Sequence, residues 1–200
     1  MNIKIIGQLA GAALLGLAVT GCVDVTMDIE VLSETNGRAT TTMSMAADFY
    51  AMAKAGAAQD DSGDGFCDEE GAVLTENDDG SATCTMVSEG TFEDLRTGDG
   101  DDSVKFEVVG PGLVRASLAT ADMSSEVTGG EEQDEQTKAM MEALFEGHTV
   151  TIRISGTEIV DTNMTLAADR QSAEIALPFL DLMQGTADLP DEIFATVRTR

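Results

Sequence analysis

Carboxylates and small oxygen side chains are the chemistry this chain offers most freely. The run Asp60-Asp61-Ser62-Gly63-Asp64-Gly65-Phe66-Cys67-Asp68 puts Asp60, Ser62, Asp64 and Asp68 at the oxygen-donating spacings of a calcium loop, with Gly65 at the turn. The last ligand position falls on Gly71, where such a loop needs a bidentate glutamate, and strand-like residues follow. A solvated acidic loop is therefore the plainer expectation, and calcium is the one cofactor these residues suggest. Asp99, Asp101, Asp102 and Ser103 make a weaker second cluster. His148 is the sole histidine, and a surface or capping role is expected of it rather than general-base work. No Gly-x-Ser-x-Gly nucleophile elbow occurs. The residues expected to act as catalysts are none, and the chain is expected not to be an enzyme. The ten methionines after Met1 fall at strand or helix periods, which suits core filling better than copper(I) ligation.

What must position these residues begins with an address. Residues 1–22 read MNIKIIGQLAGAALLGLAVTGC, with Lys4 as the one charge before an apolar run. That run is shorter than the roughly 20 residues of a membrane-spanning helix, and the segment has the shape of a secretory signal. It closes on Val19-Thr20-Gly21-Cys22, which resembles the lipobox of bacterial lipoproteins. The resemblance implies cleavage after residue 21 and acyl chains on Cys22, a stronger anchor than one myristoyl chain. Val23, rather than aspartate, follows the cysteine, which favours the outer membrane, facing the periplasm. Cys67 and Cys84 then remain. An even pair in an exported protein reads as a disulfide, with two buried thiols as the alternative.

Residues 22–200 read as a single domain. Val23, Val25, Met27, Ile29 and Val31 alternate with polar residues, the period of a half-buried strand. Asn36-Gly37 signals a hairpin and 38–45 a return strand. A helix is expected over 46–58, then a short hairpin around Asn77-Asp78-Asp79-Gly80, with strands at 72–76 and 82–86. Further strands are expected at 104–108, 113–118, 150–154, 159–166, 173–177 and 193–197. Residues 131–146 read as a second principal helix: acids crowd its first turn, Met140, Met141, Leu144 and Phe145 form a stripe, and Gly147 stops it. A shorter helix is expected at 179–184. The fold class expected is α+β, a mainly antiparallel sheet with two principal helices packed on it.

This layout resembles the LppM-like bacterial lipoproteins. Cys22-Val-Asp-Val-Thr-Met-Asp-Ile-Glu-Val followed by Thr35-Asn-Gly carries the likeness at the N-terminus, and Thr149 to Ile154 with Ile159-Val-Asp-Thr-Asn163 carries it later. The resemblance implies an envelope-anchored α+β domain that binds lipid or glycolipid. Many members end in a membrane helix, and no such apolar stretch follows here.

Charge narrows the partners. With 37 acids against 11 bases and a net charge of −26, the chain lacks the basic footprint that nucleic-acid phosphates require. The expected partners are a membrane, through Cys22, and a lipid or an envelope protein. The leading function is a non-enzymatic envelope lipoprotein with a lipid-like ligand. The alternatives are an interaction lipoprotein without a small ligand and a weak calcium-binding module. Residues 55–95 hold 12 acids and no base. That stretch is expected to turn outward, away from the membrane that holds Cys22.

Overall fold

The structure, a computed structural model, describes residues 23–57, 66–95, 104–120 and 145–199. The signal segment with Cys22, the loop holding Asp60, Ser62 and Asp64, the 97–102 loop and all but the last two residues of the expected helix 131–146 lie outside these residues.

Two β-sheets stand where the sequence suggested one sheet under helices. Strands β1 (Val23–Val31), β2 (Asn36–Met45), β3 (Val73–Glu76), β4 (Ala82–Thr91), β7 (Thr149–Ser155), β9 (Thr165–Leu166) and β10 (Ser172–Pro178) make a seven-stranded sheet. Its order is β3-β4-β2-β1-β7-β10-β9. Strands β5 (Lys105–Gly110), β6 (Leu113–Ala119), β8 (Glu158–Thr162) and β11 (Glu192–Arg198) make a second sheet, ordered β5-β6-β11-β8. Neighbours run antiparallel except β1 and β7, which are parallel and join the two halves of the larger sheet.

The α+β expectation with two principal helices is thereby corrected: among the described residues the protein is mostly β, with two short helices. The reason is visible in the smaller sheet. Val114, Ala116 and Leu118 alternate on β6, Ile193, Ala195 and Val197 on β11, and all are buried. Four strands with one apolar face need a second layer, and the larger sheet supplies it. Ile29 and Val31 of β1, Ile152 and Ile154 of β7 and Ala173 of β10 complete the same cluster. Helix α1 (Ala47–Ala57) contributes none of it: residues 47–56 are half-buried or exposed, and Met52 is 59% exposed. Helix α2 (Phe179–Met183) buries only Leu182.

Two local details shape the sandwich. The first hairpin turns at 32–35, so Asn36 and Gly37 already belong to β2, with Gly37 opposite Val31. A Cβ at Gly37 would lie 2.9 Å from the Glu30 carbonyl oxygen, so the glycine is needed for close approach rather than for the turn. Residues 159–166, expected as one strand, are divided between the sheets. Ile159 pairs with Val197 in β8, while Leu166 pairs with Ala173 in β9. Asn163 sits between them and ties the crossing to β11, donating to the Glu192 carbonyl and accepting from the Phe194 amide.

Candidate functional site

The inner face of the larger sheet is mainly apolar but unevenly covered. Ladder partners share a face, so the register gives its rows directly. Ile29, Ala39, Ile154 and Ala173 form one row, and Ile29, Ile154 and Ala173 are buried in the inter-sheet core. Toward the start of β1 lies a row of Met27, Thr41, Met86, Ile152 and Ile175, then a row of Val25, Met43, Cys84, Val150 and Leu177. Here Val25, Met27, Met43, Met86, Val150 and Ile175 are only half-buried. Met45 continues the patch beside Val23. Four methionines on three adjacent strands thus line the less covered half. Their unbranched, polarizable side chains can repack around apolar groups of varied shape.

Helix α1 and the disulfide border this patch on the β3 side. Cys67 and Cys84 are bonded, with Cα atoms 5.6 Å apart. The pairing ties the segment after the acidic loop to β4, as expected from an even pair of cysteines. A cleft of about 150 Å³ opens between Tyr50, Ala53 and Lys54 of α1, Phe66, Cys67 and Leu74. Tyr50 meets Phe66 edge-on at 6.0 Å. The Tyr50 hydroxyl and the Lys54 ammonium both donate to Glu76 Oε1, at 2.7 and 2.6 Å. The Lys54 bond first, and the Tyr50 bond second, hold the Glu76 carboxyl below its usual range. The patch is therefore mainly apolar, bordered by the paired Glu76 carboxylate and by Asp68, which also lines the cleft.

His148 is not at the surface. It is 1% exposed, and its Nδ1 accepts the Val23 amide at 3.0 Å. Phe145 lies edge-on to its ring at 6.0 Å and stacks on Phe179 at 4.3 Å. Asp24 accepts the Thr149 amide at 3.0 Å. These bonds clamp the first residues of β1 to the start of β7. The ring caps no helix among the described residues; it receives the first amide of strand β1 instead. The surface part of the sequence expectation fails because the ring is buried against Phe145.

The cation candidates stand apart from this face. Asp60, Ser62 and Asp64 lie outside the described residues; Asp68 is exposed beside the disulfide. Among the described residues no three His, Cys, Asp or Glu side chains converge as metal ligands. A second groove, of about 280 Å³, lies at the far end of the sandwich against Glu30, Leu32, Thr157 and Gln171.

The acidic hairpin is placed by register. Val23 pairs with Met45, Met45 with Ala82, and Ala82 with Glu76, so the Asn77–Gly80 turn stands at the Val23 end of the sheet. A Cβ on Gly80 would be 3.3 Å from that of Ala47, at the start of α1. The hairpin was expected at the end opposite the anchor. β2 returns to the start of β1, and β4 leaves from there, which puts the hairpin tip at the Val23 end of the sheet, beyond β2.

No known protein family and no curated protein matches the chain. Among solved structures, the NMR structure of the folded domain of Mycobacterium tuberculosis LppM is similar over 90% of this chain and 91% of its own, at 12% identity and a TM-score of 0.45.

Proposed function

We propose that the chain is a bacterial envelope lipoprotein, tethered through acyl chains on Cys22, whose domain binds a lipid-like apolar ligand and catalyses no reaction. The observation that carries the ligand is the half-buried methionine patch of Met27, Met43, Met45 and Met86, on the same face as a fully buried core. An apolar surface with flexible side chains and a few polar groups at its border is what an acyl chain requires. The non-enzymatic reading is supported by where reactive groups are spent. His148 holds a backbone amide, and Cys67 and Cys84 hold each other. The outer membrane, facing the periplasm, is the location proposed, from Val23 following Cys22.

Native mass spectrometry of the gently extracted protein tests the ligand. A co-purified lipid is expected, and Met43→Glu should release it while the disulfide and fold persist. An empty monomer that also ignores a fluorescent fatty acid would overturn lipid binding. That outcome would leave an interaction lipoprotein, which the exposed Val73 (60%) and Leu74 (44%) on edge strand β3 favour.

A further inference from the structure

We infer that the end of the sandwich formed by the Asn77–Gly80 turn, the start of α1 and helix α2 is the surface that rests against the bilayer. The inference rests on lipidation of Cys22 and adds the orientation of the domain to it.

Cys22 is joined directly to Val23, and consecutive Cα atoms are about 3.8 Å apart. Val23 is already the first residue of β1, a strand with neighbours on both sides. No linker therefore separates an acyl chain on Cys22 from the sheet. The strand start cannot swing away on its own, because its amide is held by buried His148 and Asp24 holds the Thr149 amide. The anchor thus fixes one end of a rigid body.

The register says which groups share that end. Met45, Ala82 and Glu76 lie in the Val23 row, and Thr149 and Pro178 close the other side. The segments that continue outward from this row are α1, the Asn77–Gly80 turn and α2. The turn joins strands two and three spacings from β1, about 10–15 Å away across the sheet. The opposite end carries the 32–35 turn, and Glu34 there accepts the Gly112 amide from the β5–β6 turn. It lies eight residues along β1, about 27 Å away and several Debye lengths at physiological salt.

The near end is acidic. Asp24, Asp48, Asp78 and Asp79 sit in or beside it, and Lys54 of α1 is already bonded to Glu76. Such a surface fits zwitterionic headgroups and is repelled by anionic ones unless salt screens it. Headgroup charge therefore sets how closely this end sits, while the acyl chains keep it there.

Hydrogen exchange on the full lipidated chain tests the orientation. The protein is compared in detergent, in phosphatidylcholine vesicles, and in vesicles that also contain phosphatidylglycerol. Exchange at 46–48, 77–81 and 179–184 should slow severalfold in phosphatidylcholine, with 32–35 and 168–171 unchanged. Phosphatidylglycerol should weaken the effect, added salt should restore it, and Asp78→Asn should narrow the gap between the two vesicles. Slowing at the far turns, or at no segment, overturns the orientation. Intact mass spectrometry reads the underlying assumption separately: a chain without acyl mass on Cys22 refutes the lipoprotein reading itself.

Discussion

One face of the larger sheet behaves in two ways. At the far end of β1 and β7, Ile29 and Ile154 are ladder partners at 2% and 1% exposure, closed against the smaller sheet. Four residues earlier on each strand, Val25 and Val150 are ladder partners and only half-buried. Strand, alternation and side-chain type are nearly the same in both places. What differs is the covering layer. An alternating strand specifies which side is apolar, and leaves open what lies on it.

The largest expected effect is a direct contrast of the two halves. Ile154→Ala removes a closed-core side chain and should cost about 3 kcal/mol. Met43→Ala, in the half-covered patch, should cost under about 1.5 kcal/mol, since flexible methionine in a looser setting is more readily replaced. Urea denaturation measures both, and equal losses would break the contrast. Removing the crosslink with Cys67→Ala and Cys84→Ala should cost about 3 kcal/mol by the loop-entropy argument. Because the bridge borders the methionine patch, local exchange should rise there and not in the inter-sheet core.

Gly156→Ala probes the tight half by addition. Its Cβ would fall 2.3 Å from Val197 Cγ1, a side chain with no exposure, and the overpacking should cost about 2 kcal/mol. Thermal melts should show the loss, and a neutral result would mean the closed core has slack. His148→Leu keeps bulk but leaves the Val23 amide without its acceptor, for about 1–2 kcal/mol. Exchange at the start of β1 should quicken first.

The smallest effect is a pH dependence. Glu192 pairs with Arg115 at 2.7 Å. The Ser117 hydroxyl foremost, and Arg115 next, hold the Glu192 carboxyl below its usual value of 4.5. A depressed acid contributes stability that is complete above its unfolded value and is lost as pH falls through the folded one. The stability gap between wild type and Glu192→Gln should therefore be complete at neutral pH and shrink progressively as pH falls below 4.5. A gap that widened in acid would reverse the sign.

The strands were legible in the sequence to a good degree, because alternation and turn chemistry are local. β1 and β10 stand almost where their valines, isoleucines and leucines alternate, and α1 fills the expected stretch within a residue at each end. The candidate site was less legible. The methionines were visible as strand residues, and nothing local said that Met27, Met43 and Met86 would gather on one face of three adjacent strands. That gathering depends on β1–β2 and β2–β4 pairings whose register is long-range. Residues 159–166 read as one strand because period two continues across Asn163, while the chain there passes between sheets.

The sequence by itself determined the lipobox-like run that ends at Cys22, a net charge of −26, and which residues of each strand face inward. These are properties of composition and of neighbours in the chain. Only the tertiary structure decided that, among the described residues, a second sheet closes the core. It also decided that His148 is buried against Phe145, and that the acidic hairpin stands at the Val23 end of the larger sheet. Each of these depends on segments far apart in sequence meeting in space, and no local pattern encodes where a distant partner will come to rest.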